Sequence, residues 1–190
     1  MLLLVGLGNP GPKDINNRHN IGFRIIDAVN SHFKLSKQKP KFKGLLTTGI
    51  ISENKVYAIK PLTFMNNSGT AIKELIDYFK IDAKNVIVFH DDLDIDFGKI
   101  KAKFGGGSAG HHGIESIDKF IGKDYSRVRI GIGHPKSKKK VNNHVLEDFK
   151  EDEEDQIIEI AENIVKLIPT LLERKIDLFS SKVNQSLNGI

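Results

Sequence analysis

The chain has 190 residues, 39% hydrophobic and 28% charged, with a net charge of +5; this fits a globular domain with a sizeable core and excludes a disordered chain. It has no cysteine, which excludes disulfides, cysteine nucleophiles and thiolate metal sites. The charge is uneven: residues 99–150 hold 12 Lys/Arg against 5 Asp/Glu, and residues 151–190 hold 4 against 9, a polarity that suits either a polyanionic partner or a solvated lysine-rich surface.

Residues 2–7 are a continuous apolar run and read as a buried strand. No positive segment precedes the run, so it is not a signal peptide. No apolar stretch approaches the ~18 residues needed to span a membrane, and the expectation is a cytoplasmic protein. Ile21, Ile25, Ile26, Val29 and Phe33 form a helical stripe. Residues 45–51 and 56–59 are rich in β-branched side chains and read as a hairpin. Ile72, Leu75, Ile76 and Phe79 mark a helix over 67–79. Residues 85–89 are a buried strand that ends at His90-Asp91-Asp92. Residues 99–104 alternate lysine with Ile100, Ala102 and Phe104, a strand with one wet face. A glycine-rich loop fills 105–110 and a helix 114–121. A strand over 128–132 is expected to turn Arg127 and Arg129 outward. A basic loop at 135–140 is followed by closing helices at 156–168 and 171–179, broken at Pro169. Neither an internal repeat nor a linker is visible. The fold class is α/β, a single domain over residues 1–190 with a mixed central sheet and helices on both faces.

Four segments carry candidate chemistry. Residues 6–22 place Asn9, His19 and Asn20 just after the first strand, where sites form in open α/β sheets. Gly6-Leu7-Gly8-Asn9-Pro10-Gly11 matches a dinucleotide fingerprint literally. However, no apolar helical stripe follows the glycines, and the acidic residue expected ~20 positions on is missing. The run from His90 to Asp96 offers carboxylates for Mg²⁺, or with His111 and His112 for zinc, but its spacing fits neither an EF-hand nor H-E-x-x-H. Its other reading is a solvated turn with one functional carboxylate. In residues 61–69, Asn66, Asn67 or Ser68 caps a helix and Phe64 and Met65 belong to the core, or an exposed Phe64–Met65 pair beside Asn66 receives a flat substrate group. Lysines at 99, 101 and 103 share a face that can track phosphates, and the glycines after them let N–H groups approach an anion. The alternative is lysine protection of a sheet edge.

In combination, GLGNPGP…RHNIGF, KPLTFMNNSG, HDDLDIDFGKIKAKFGGGSAGHHGIESI and RVRIGIGHP…VLEDF resemble the bacterial-type peptidyl-tRNA hydrolases, in order and across roughly residues 1–150. The resemblance implies a mixed, twisted sheet and cleavage of the ester between a peptide and the tRNA 3′ end. With no cysteine and no G-x-S-x-G elbow, water is the natural nucleophile and histidine its base. The resemblance makes His19 the base, Asp91 its partner, and Asn9 and Asn66 the amides that hold the peptide and help fix the water. Phe64 and Met65 match contacts to the substrate's 3′ end, and Lys101, Lys103 and Arg129 match positions facing phosphates. Asp14, His111 and His112 fall at substrate-facing positions. The family usually has Tyr at 14, Thr at 17 and Asn at 112. The resemblance implies no metal or organic cofactor. It implies tRNA and peptide as the parts of the substrate, with no DNA or membrane partner, and a monomer. A non-catalytic RNA-binding relative, like the splicing factors of plant organelles, is the rival; the intact His19–Asp91 pair argues against it.

Overall fold

The structure is a computed structural model describing residues 1–135 and 141–187. In chain order the elements are β1 (Leu2–Gly6), α1 (Ile21–His32), β2 (Lys39–Lys41), β3 (Gly44–Ile51), β4 (Asn54–Pro61), α2 (Ser68–Phe79), β5 (Val86–Asp92), β6 (Ile100–Phe104), α3 (His112–Ile121), β7 (Ser126–Gly131), α4 (Val141–Leu146), α5 (Glu151–Leu172) and α6 (Ile176–Leu187). The strands form one seven-stranded sheet ordered β2-β3-β4-β1-β5-β7-β6. The central β4-β1-β5-β7 block is parallel. β3, β2 and β6 are antiparallel additions at its edges. The expected single α/β domain with a mixed sheet and helices on both faces is present.

Alternation along the strands divides the core in two. Leu2 and Leu4 pack with Ile25, Ile164 and Phe179 beneath α1, α5 and α6. Leu3 and Val5 point the other way, to Ile72 and Ile117 beneath α2 and α3. The helices at 21–33 and 67–79 and the hairpin agree with the sequence within a residue or two. No described helix is long and apolar enough to cross a membrane.

One close approach positions the site. A Cβ on Gly22 would stand 2.4 Å from Leu7 N and from Phe89 O. Only glycine lets the start of α1 rest directly on the ends of β1 and β5. The glycines of the dinucleotide-like match open no helix; the chain turns through Gly11–Asn17, as expected from the missing stripe.

Three expectations are corrected. The helix does not break at Pro169: α5 continues to Leu172. Pro169 lies in its last turns, and Ile164, Val165, Ile168, Leu171 and Leu172 are buried on either side, so burial outweighs the lost N–H bond. The reversal comes at Glu173–Lys175, with Arg174 at φ +62°. The acidic run is not wholly a solvated turn, because β5 extends through Asp92 and buries both Asp91 and Asp92. Arg127 faces inward and is 1% exposed. Most of the expected basic loop, 136–140, lies outside the described residues.

Candidate active site

His19 sits in a 3-10 turn, Arg18–Asn20, at the carboxyl ends of β1 and β5. The Asn17 side chain caps this turn by accepting Asn20 N–H at 3.1 Å. The C-terminal region clamps the turn from outside. Arg18 N–H donates to Glu147 O at 3.0 Å. The buried Arg18 guanidinium donates to the carbonyls of Glu147 and Asp148, and at 2.5 Å to Glu153. It lies 5.1 Å over the Phe149 ring. Glu153 also accepts Lys150 N–H at 2.8 Å, fixing the first turn of α5. The VLEDF motif is thus the support on which the histidine turn rests.

The hydrogen bonds around Asp91 fix the state of two histidines. His111 Nδ1 accepts the N–H groups of Gly113 and Ile114, at 3.1 and 3.3 Å, and so caps α3. Its proton is therefore on Nε2, which donates to Asp91 Oδ1 at 3.0 Å. His19 Nδ1–H donates to the same oxygen at 2.8 Å. In the neutral ring His19 Nε2 then carries a lone pair, and it has no partner among the described residues. His19 lines a cleft of ≈ 330 Å³ with Asp92, Leu93, Ala109, His111 and His112.

The electrostatics follow from burial and pairing. Burial alone would lower the His19 pKa, but the Asp91 charge and hydrogen bond, with a smaller push from Asp14, raise it above 6.5. Burial would raise Asp91; His19 and His111 beside it instead hold its carboxyl well below the usual range. His90, whose Nδ1–H donates to Asp91 O at 2.7 Å, is fully buried. Burial first, and then His111, keep it neutral, well below 6.5. His19, Asp91 and His111 offer ligand-type atoms within 4.8 Å of one another. Both ring hydrogens point at the carboxylate, however, so these groups bind each other and present no convergent set of lone pairs.

Asn9 is oriented by a relay of amides. Asp14 Oδ1 accepts Asn17 Nδ2–H at 2.9 Å, and Asn17 Oδ1 accepts Asn20 N–H. Asn20 then exchanges two bonds with Asn9: Asn9 N–H to Asn20 Oδ1 at 2.7 Å and Asn20 Nδ2–H to Asn9 O at 2.9 Å. Asn9 Oδ1 accepts Met65 N–H at 3.0 Å. The carboxamide is fixed with Nδ2 uncommitted among the described residues. Asp14 and Asn17 are thus partners.

The other expected residues divide. Phe64 is 70% exposed and Asn66 is exposed beside it. Met65 is not part of an exposed pair. It is 5% exposed and packs so close to α3 that a Cβ on Gly113 would meet its sulfur at 2.5 Å. His112 is exposed at the cleft, 3.3 Å from Glu115. Lys101 and Lys103 lie opposite Arg129 and Arg127 in the β6–β7 register. Arg129 donates to Asp92 at 2.7 Å. Partial burial, and then the neighbouring Arg129 and Arg127, lower the Lys103 pKa. Arg127 donates to Asp118 at 2.7 Å and to Gly107 O at 2.8 Å, tying the glycine loop to the sheet. The positioning roles of Arg18, Asn17 and Arg127 were missed in the sequence. Arg18 stands inside a motif, but its partners lie in distant segments, whereas those of Asn17 lie three residues to either side.

A family model described as peptidyl-tRNA hydrolase matches residues 3–189. The chain is 71% identical to the peptidyl-tRNA hydrolase of Pelagibacter ubique over 97% of this chain and 99% of that protein. It is 44% identical to that of Bartonella henselae over 100% and 98%. The crystal structure of peptidyl-tRNA hydrolase from Acinetobacter baumannii superposes with a TM-score of 0.90 at 33% identity, covering 97% of this chain and 94% of that one. With one fold shared over nearly the whole length, and sequence identity far above what fold alone requires, the chain belongs to the peptidyl-tRNA hydrolase family.

Proposed function

We propose that the protein hydrolyses the ester joining a peptide to the 3′ end of tRNA, with water as nucleophile and His19 as general base. The observation that carries this reading is the buried 2.8 Å bond from His19 Nδ1 to Asp91, which leaves Nε2 free at the cleft. Nε2 takes a proton from water as its oxygen attacks the acyl carbon. Asp91 stabilises the imidazolium that forms. The proton then passes to the departing 3′ oxygen, so free tRNA and a peptide acid leave. The free Nδ2 of Asn9 and the exposed Asn66 amide bind the peptide part and fix the water. Phe64 offers a face for the terminal base, and His112 lies at the cleft mouth. Asp14 acts behind Asn9, through the relay.

Lys101, Lys103 and Arg129 face the tRNA phosphates. Edge protection is not needed to explain the lysines, because α6 already covers this edge. Asn184 exchanges two bonds with the backbone of Ile100, at 2.9 and 2.8 Å, and Ser180 accepts Ala102 N–H at 2.7 Å. A protein that only bound RNA would have no use for a buried carboxylate aligning a histidine whose far nitrogen is open.

The test is single-turnover cleavage of N-acetyl-aminoacyl-tRNA. His19→Ala is expected to lose roughly 10²–10⁴-fold in rate while tRNA affinity persists. Chelation with EDTA should leave the native rate unchanged, since His19 and water supply the chemistry. A near-native rate in His19→Ala overturns the assignment.

A further inference from the structure

The sheet order lays the candidate machinery out in a line. Lys101, Lys103 and Arg129 belong to β6 and β7, Asp91 to β5, and Asn9 follows β1. The next strands along are β4 and β3. There, bordered by Asn9 and Asn20, a second hollow of ≈ 540 Å³ opens, walled by Ile15, Phe23, Leu45 and Leu62. Two of these side chains are water-exposed: Ile15 by 63% and Leu62 by 41%. An ion pair also lines it, Lys60 Nζ to Asp27 Oδ1 at 2.6 Å, with Lys60 only 9% exposed and its ammonium 5.7 Å over the Phe23 ring. Leu45 lies opposite Lys60 in the hairpin register.

The chemistry of this hollow excludes the RNA end of the substrate. Its two cations are already neutralised: Lys60 by Asp27, and Arg24 by two bonds to Glu154 at 2.6 and 2.9 Å. A phosphate entering it would find no free positive charge. Apolar walls with amides at the rim match a short stretch of peptide, and the volume suits a small ligand.

We propose that this hollow is an acyl-side subsite that seats apolar side chains of the peptide residues upstream of the esterified one. The inference rests on the hydrolase reading above. A linear substrate lies across the strand ends, nucleotides over β6–β7, ester at His19, peptide past Asn9 to β4–β3. Asn9 is the divider between chemistry and subsite.

The experiment compares kcat/KM on N-acetyl-Leu-tRNA and N-acetyl-Leu-Leu-Leu-tRNA, made on one tRNA. The native protein should prefer the longer substrate by roughly tenfold, the scale of one apolar side chain entering a pocket. Ile15→Ala/Leu62→Ala truncates two exposed side chains and should cut the ratio below about threefold. A native ratio near one overturns the proposal. So does an unchanged ratio in the variant, whether both rates hold or both fall together; the second pattern assigns the hollow to the RNA end. If the native protein cleaves neither ester, the hydrolase reading itself fails, and the subsite with it.

Discussion

Asp91 Oδ1 receives two imidazole hydrogens and raises the pKa of His19, the proposed base. A histidine base works only when neutral. Because Asp91 raises the His19 pKa above 6.5, kcat/KM should fall as pH drops through a value above 6.5. Asp91→Asn keeps an acceptor but removes the charge. The acid limb of the pH profile should then move to lower pH, and the plateau should drop by less than it does in His19→Ala. An unmoved limb would mean that another group titrates. Asp14 acts at longer range. Asp14→Asn retains an acceptor for Asn17 Nδ2–H, whereas Asp14→Ala loses it. One lost hydrogen bond is worth about 0.5–1.5 kcal/mol, so Asp14→Ala should lower kcat/KM roughly three- to tenfold, mainly through KM. Asp14→Asn should keep KM and shift only the acid limb downward. Steady-state kinetics across pH on both variants separates orientation from charge.

The elements explain why a residue with no chemistry of its own matters. The His19 turn has only three residues, too short to hold its shape alone. Arg18 ties it to Glu153 and to the strand-like segment at Asp148, which bridges to Asn17. Arg18→Met should destabilise the fold by about 1.5–3 kcal/mol, because the half-buried Glu153 carboxylate keeps only Lys150 N–H and the Asp148 carbonyl loses its guanidinium donor. Arg18→Met/Glu153→Gln should recover part of that loss, as chemical denaturation would measure. The sequence made His19 and Asn9 visible because polar groups interrupt an apolar strand–helix junction. It concealed what Arg18 does, since Glu147, Asp148 and Glu153 lie more than 120 positions away. Periodicity found the helices because burial enforces it. The same rule misplaced Arg127: alternation assigns a face but does not say what covers it. Arg127 lies over Tyr125 at 4.6 Å and reaches Asp118. At Pro169 the local rule lost to a buried stripe on both sides.

Across the whole molecule, charge is sorted by topology. The acidic C-terminal segment spends Glu153 and Glu154 on Arg18 and Arg24 behind the site. The cations of β6 and β7 remain at the far edge of the sheet, with Lys101 exposed. Composition revealed the basic middle of the chain, but not that Lys101 stands beside Arg129. That pairing comes from an antiparallel strand added outside β7, a step in strand order that no local pattern encodes. The Lys103 pKa is lowered first by partial burial and then by the positive Arg129 and Arg127 beside it, a repulsion that an incoming anion would offset. Binding of tRNA should then weaken steeply with salt. Lys101→Ala/Lys103→Ala should reduce the magnitude of the log K against log salt slope by roughly 0.7–0.9 for each phosphate contact removed. The same variant should raise KM far more than it lowers kcat, because the chemical groups on β5 and the His19 turn are untouched. Since Asn184 and Ser180 already occupy the open edge of β6, the variant should stay as soluble as the native protein. An unchanged slope with increased aggregation would return the lysines to edge protection and move the tRNA contact elsewhere.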